Sequence, residues 1–158
     1  MLDAASIMTR KVFTVRPEHT VAHVAELLAQ KGISAAPVCD EAGNLLGMVS
    51  ENDLMRPFVS TNVKRRTWWL ELLADGNDLA PEFLEYVRLD RHLVGDLMSK
   101  GVVTATEGSS ISELADLFVQ HHIKRVPIVR DGKLVGIVSR ADVIRAIARA
   151  PGEVVAPL

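Results

Sequence analysis

Laid against itself with a shift of 90 residues, so that Met8 falls on Met98, the chain matches over most of its length. Ile7-Met8-Thr9-Arg10-Lys11-Val12-Phe13-Thr14-Val15 meets Leu97-Met98-Ser99-Lys100-Gly101-Val102-Val103-Thr104-Ala105, and Ile33-Ser34-Ala35-Ala36-Pro37-Val38 meets Ile123-Lys124-Arg125-Val126-Pro127-Ile128. After a one-residue gap, Gly47-Met48-Val49-Ser50-Glu51-Asn52-Asp53-Leu54 meets Gly136-Ile137-Val138-Ser139-Arg140-Ala141-Asp142-Val143. A chain written twice from one unit has few folds open to it. Each copy, at about 50 to 60 residues, is too small to bury a sheet face alone, so the two copies are expected to pack face to face.

Each copy reads as β-α-β-β-α. The β-branched runs Val12 to Val15 and Val102 to Ala105 predict first strands. Val21, Val24, Ala25 and Leu28, like Ile111, Leu114, Ala115 and Phe118, recur at helical spacing and form one apolar stripe. Thr20 and Ser110 stand at the N-cap, and Ser110 with Glu113 has capping-box spacing. Gly32 and His122 stand where a left-handed residue closes the helix. Ala35 to Cys39 with Leu45 to Val49, and Arg125 to Val129 with Leu134 to Val138, predict a β-hairpin in each copy, turning at Gly43 and at Asp131-Gly132. The last helices start at Ser50 and Ser139, with Asp53 and Asp142 at N3. The second of them carries Val143, Ile144 and Ile147 and stops at Pro151-Gly152.

Composition narrows the class. A chain of 158 residues that is 48% hydrophobic and 24% charged folds rather than staying disordered, and 4% aromatic content requires an aliphatic core. No apolar run approaches the ~20 residues of a membrane span, and Met1-Leu2-Asp3-Ala4 lacks a signal-peptide layout, so a cytoplasmic protein without membrane insertion is expected. A net charge of −2 gives no global attraction to nucleic acid. The single Cys39 excludes an internal disulfide.

The repeat resembles the cystathionine-β-synthase (CBS) domain, and two in tandem resemble a Bateman module. The resemblance rests on Ile7-Met8-Thr9 and Leu97-Met98-Ser99, on Pro37 and Pro127, and on the Gly-x-x-Ser-x-x-Asp runs Gly47 to Asp53 and Gly136 to Asp142. It sets units at 1–58 and 94–150, an insert at 59–93 and a tail at 151–158. It implies an α/β (α+β) fold of two pseudo-symmetric units packed sheet to sheet. It also implies clefts that take adenine nucleotides or S-adenosyl compounds and serve a regulated partner. The insert, with Arg65-Arg66-Thr67-Trp68-Trp69-Leu70, is similar to one in bacterial proteins that carry a BON domain after the pair, a domain absent from these 158 residues.

The candidate sites follow from this frame. A helix N-terminus presents unpaired N–H groups to a phosphate, and an acidic residue one turn on can accept from a ribose diol. Ser139 and Asp142 are so placed, and Lys124, Arg125 and Arg140 supply cations, the sequence leaving open which of the two clefts Lys124 and Arg125 enter. Val103, Thr104, Ile123 and Pro127 are the expected adenine contacts of this stronger site. Thr14, Ile33, Ser34, Pro37, Ser50 and Asp53 are the counterparts in a weaker one, which lacks the cation pair. Each residue also has a plainer role. The Ser–Asp pairs can serve as caps alone, Lys124 and Arg125 as a solvated strand edge, and the aliphatic side chains as core.

Other residues carry less. His19 and His23 are spaced as two metal ligands without a third, and no metal is expected. His121-His122 finishes a helix, and Cys39 is a buried apolar side chain. Trp68 and Trp69 either pack onto the pair or form a dimer or partner surface. With no nucleophile–base pair or carboxylate pair, the expectation is a non-catalytic, homodimeric sensor with no catalytic cofactor. Its regulatory ligand would be AMP, ADP or ATP, acting on an unidentified regulated protein. The alternatives are a ligand-free dimerisation scaffold and an S-adenosylmethionine sensor, whose sulfonium would gain nothing from Lys124 and Arg125.

Overall fold

The computed structural model describes residues 2–56 and 92–154. In chain order the elements are α1 (Ala4–Ile7), α2 (Val21–Lys31), β1 (Ala35–Cys39), β2 (Leu45–Ser50), α3 (Glu51–Met55), α4 (Val94–Leu97), α5 (Ile111–His121), β3 (Arg125–Arg130), β4 (Lys133–Ser139), α6 (Arg140–Arg149) and α7 (Pro151–Val154). The fold is α+β, with an antiparallel hairpin in each copy, β1–β2 and β3–β4.

Two compact units form, and each draws on both copies. The first comprises Met1–Thr14, Cys39–Leu46 and Gly101–Leu158; the second comprises Val15–Val38 and Gly47–Lys100. In the first unit, Thr9 from the leading segment exchanges two backbone hydrogen bonds with Ile137 of β4, at 2.9 and 3.0 Å. On the other side of that hairpin, Ala105 donates to Pro127 O and accepts from Val129 N–H. The second unit repeats the plan: Ser99 pairs with Met48 of β2, and Val15 donates to Pro37 O of β1. The segment ahead of each repeat therefore closes the sheet of the other repeat.

The signature glycines make this possible. A Cβ at Gly136 would stand 2.4 Å from Met8 Sδ, and one at Gly47 would stand 2.5 Å from the Ser99 carbonyl oxygen. The leading Met-Thr and Met-Ser pairs lie directly against those glycines, a backbone approach only a residue without Cβ allows.

The expected first strands, Val12 to Val15 and Val102 to Ala105, shrink to one bridged residue each, Val15 opposite Val38 and Ala105 opposite Ile128. Pro37 and Pro127 explain this, because the next rung of each parallel ladder would need an N–H that proline lacks. Helix boundaries follow their caps. Thr20 Oγ1 accepts from His23 N–H, Ser110 and Glu113 close a capping box, and Gly32 and His122 stand at φ 64 and 52. Asp131 and Gly132, at φ 52 and 78, make the tight turn that joins β3 to β4.

The core of the first unit is Ala4, Met8, Ala105, Ile111, Leu114, Phe118, Val126, Ile128, Val138, Val143 and Ala146. Burial of each large aliphatic side chain contributes about 1.5–3 kcal/mol. The second unit buries Val15, Val21, Val24, Leu28, Ala36, Val38, Val49, Leu54 and Val94. One expected stripe differs. Val143 of α6 is buried, whereas Ile144 and Ile147 are exposed, and Ala146 takes the inward place. Helix α6 ends at Arg149, and Pro151 opens the further turn α7 rather than ending all helix. Residues 57–91 of the chain, with Trp68 and Trp69 of the insert, lie outside the described residues, and among the described residues no helix is long and apolar enough to cross a membrane.

Candidate functional site

The stronger set of site residues falls within the first unit. Antiparallel register sets Arg125 opposite Ser139 and Pro127 opposite Ile137, so the start of β3 stands beside the N-terminus of α6. Arg140 N–H donates to Lys124 O at 3.2 Å and fixes that juxtaposition. Val103 and Thr104 lead into Ala105, which bridges to the far side of β3; Val103 is half-buried and Thr104 exposed. Ile123 is half-buried, Lys124 exposed and Arg125 half-buried. The ten-residue helix α6 thus presents its positive end next to two cationic residues.

At that end Ser139 and Asp142 form a capping box. Asp142 Oδ2 accepts from Ser139 N–H at 2.7 Å, and Ser139 Oγ accepts from Asp142 N–H at 3.2 Å. Asp142 Oδ1 is held by Arg145 Nη2, one turn further along the helix. A carboxylate offers about four acceptor positions, so two on Asp142 stay open, and its side chain retains 13% exposure.

The second unit carries the equivalent box with a different balance. Asp53 Oδ2 accepts from both Ser50 N–H (2.9 Å) and Ser50 Oγ–H (3.1 Å), and Oδ1 accepts from Arg56 Nη2 at 2.7 Å. Three of about four positions are filled, and Asp53 is buried. Glu51 stands where Arg140 stands in the other copy, and its N–H donates to Ser34 O at 2.9 Å. Ile33 and Ser34 are half-buried. Thr14 is counted with the first unit, whereas the other five residues of the weaker set belong to the second.

Three of the expected contact residues also serve the fold. Arg140 directs Nε to Ile123 O at 2.7 Å and Nη2 to Phe118 O at 3.4 Å, so its guanidinium ties down the carbonyls that end α5. Pro37 and Pro127 are fully buried, so what they offer is packing and a missing N–H. Sequence reasoning missed Arg56 and Arg145. Their signal was the Asp-x-x-Arg spacing, since residues three apart face each other on a helix.

The two histidines of copy 1 have a structural place. His19 Nδ1 accepts from Arg16 N–H at 3.2 Å, and its ring meets that of His23 edge-on at 4.9 Å between centroids. Partial burial first, then the neighbouring His23, hold the His19 pKa below its ordinary value. Among the described residues, no group of three or more histidine, cysteine, aspartate or glutamate side chains could hold a metal ion. Cys39 is buried, and that burial pushes its thiol pKa up, leaving little thiolate for reaction.

Known proteins match this architecture. The CBS domain family model matches residues 4–60 and 94–149. An uncharacterised protein of Methanocaldococcus jannaschii, MJ1426, is 32% identical over 146 residues, covering 87% of each chain. The crystal structure of CBSX2 in complex with AMP is similar at a TM-score of 0.72 and 25% identity, covering 96% of this chain and 99% of that one. The CBS domain of a CBS-domain-containing membrane protein from Sphaerobacter thermophilus aligns at a TM-score of 0.69 and 33% identity, covering 91% of this chain and 86% of that one. With both copies matched by the family model and the hairpin-and-helix plan repeated in each, the chain belongs to the CBS domain family, as a tandem pair.

Proposed function

We propose that this CBS pair is a non-catalytic regulatory module whose ligand is an adenine nucleotide held by the second copy. The observation that carries the reading is the state of Asp142. Its carboxylate keeps open acceptor positions at the mouth of a helix N-terminus flanked by Lys124 and Arg125. A ribose diol supplies two O–H donors to such a carboxylate, and a phosphate matches the N-terminus and the cations. Val103, Thr104 and Ile123 border the same strand edge and offer apolar surface and main-chain groups to the base. The AMP bound by CBSX2 supports an adenosyl ligand for this fold.

The same reading makes Ser50 and Asp53 the weaker site, because the buried Asp53 has one open position and no cation pair beside it. It also takes the module to be a homodimer. Val119 of α5 and Ile144 and Ile147 of α6 are exposed apolar residues that a second copy would cover. Regulation requires that the ligand bind one conformation of the module better than another, and the regulated protein reads that difference.

A thermal-shift screen with AMP, ADP, ATP, GTP and S-adenosylmethionine tests the reading. Ligand at ~100 times its dissociation constant adds about 2.7 kcal/mol, a shift of several degrees. Stabilisation by an adenine nucleotide is the expected result. S-adenosylmethionine alone would assign the site to that ligand, and no shift with any of the five would leave a dimerisation scaffold.

A further inference from the structure

The open positions on Asp142 have a rival for their best geometry. A diol is gripped most directly when one hydroxyl donates to each carboxylate oxygen, yet Oδ1 of Asp142 already holds the Arg145 guanidinium. We propose that Arg145 is a built-in competitor for the ribose, a positioning residue that acts through Asp142 and sets the affinity of the second copy for diol-bearing ligands. This inference rests on the reading of Asp142 given above.

Three observations support it. Arg145 is mostly exposed, with 57% of its side-chain surface accessible, and among the described residues its guanidinium makes no hydrogen bond except to Asp142. It is therefore not a strut that the fold requires. Arg140, five residues earlier on the same helix, shows the contrast, because its guanidinium is committed to the Ile123 and Phe118 carbonyls. Finally, the arrangement occurs twice: Arg56 holds Asp53 Oδ1 as Arg145 holds Asp142 Oδ1. An ion pair with so exposed a guanidinium contributes little to folding, but it fills one of the two acceptor positions on Oδ1 and so competes with the ribose hydroxyl that approaches that oxygen.

The test is the discrimination between AMP and 2′-deoxy-AMP, measured by calorimetric titration of the full chain and of Arg145→Gln. Losing the Arg145 charge changes the field at the phosphate of both ligands alike, so the ratio of their dissociation constants isolates the contact with the hydroxyl. Arg145→Gln should raise that ratio about two- to fivefold, chiefly by tightening AMP, with the melting temperature of the ligand-free protein almost unchanged. A ratio that stays the same or falls overturns the role of Arg145 while leaving nucleotide binding intact. If AMP binds neither protein, the assignment of Asp142 to ribose fails, and the competitor fails with it.

Discussion

Asp53 and Asp142 occupy the same place in two copies of one unit, each at N3 of a capping box behind a serine, yet they are left in different chemical states. Asp53 is buried and takes three hydrogen bonds, one of them from a serine hydroxyl that its counterpart does not donate. Asp142 takes two and keeps contact with solvent. The residues around them diverge in the same sense, with Ser34 and Glu51 in the first copy and Lys124 and Arg140 in the second. A capping box and a ligand site can therefore share one set of atoms. Which of the two a copy supports depends on how many of its acceptor positions the fold itself consumes.

The largest effect expected from breaking this symmetry is on stability, at the signature glycines. Gly47→Ala drives a methyl group into the backbone oxygen of Ser99, which cannot move without parting the Met48–Ser99 pair, and should cost about 3 kcal/mol. Gly136→Ala meets mainly the flexible Met8 side chain and should cost about half that. Chemical denaturation of the two variants measures both, and the reverse order would mean that the leading segments are held otherwise than described.

Next in size are the aspartates as caps. Asp53→Ala removes three bonds from a buried place and should cost about 2 kcal/mol, against about 1 kcal/mol for Asp142→Ala. Equal losses in thermal melts would erase the distinction drawn between the two boxes. Replacement of both Lys124 and Arg125 by alanine should weaken AMP about tenfold and leave adenosine within about twofold, because only AMP carries a phosphate. Parallel losses for both ligands would assign the pair to packing instead.

The smallest effect concerns the starts of α2 and α5. His19 Nδ1 accepts from Arg16 N–H where Ser109 Oγ accepts from Thr106 N–H in the other copy, and His23 holds the N3 place that Glu113 fills there. The folded-state pKa of His19 is lowered, by burial first and by His23 next, with Arg16 adding to the effect and Glu18 opposing it. The unfolded chain therefore binds its proton more tightly than the folded one. The stability His19 contributes is present above the ordinary histidine value near 6.5 and is lost as pH falls through the folded-state pKa. Between about pH 7 and 5, His19→Gln should flatten that loss by a degree or two in melting temperature, while Ser109→Ala leaves the slope unchanged. An identical slope in wild type and His19→Gln would mean that His19 makes no contribution to the loss of stability in acid.

Much of the local structure was legible because it is encoded within a few residues. The caps at Thr20, Ser50, Ser110 and Ser139, the left-handed Gly32 and His122, and both hairpins each depend on side chains no more than four positions from the backbone they serve. What stayed hidden depends on partners far apart in sequence. The pairing of Thr9 with Ile137 and of Ser99 with Met48 could not be read from a repeat, because either copy of a motif fits either sheet equally well on paper. The β-branched runs over-predict the first strands, since the limiting residues, Pro37 and Pro127, sit on the neighbouring strand. The roles of Arg140 and Arg145 were obscured for a different reason. Charge alone does not say whether a guanidinium will find a carbonyl, a carboxylate or a ligand, and only the geometry separated them.

The second copy's open aspartate is the proposed anchor of the nucleotide. The most direct measurement is a calorimetric titration of AMP into the wild-type chain and the Asp53→Ala and Asp142→Ala variants, each checked for a cooperative melt beforehand. Asp142→Ala should weaken AMP at least tenfold while Asp53→Ala changes it by less than about threefold, even though Asp53→Ala is the less stable protein. Equal weakening by the two, or a larger loss from Asp53→Ala, would rule that anchor out.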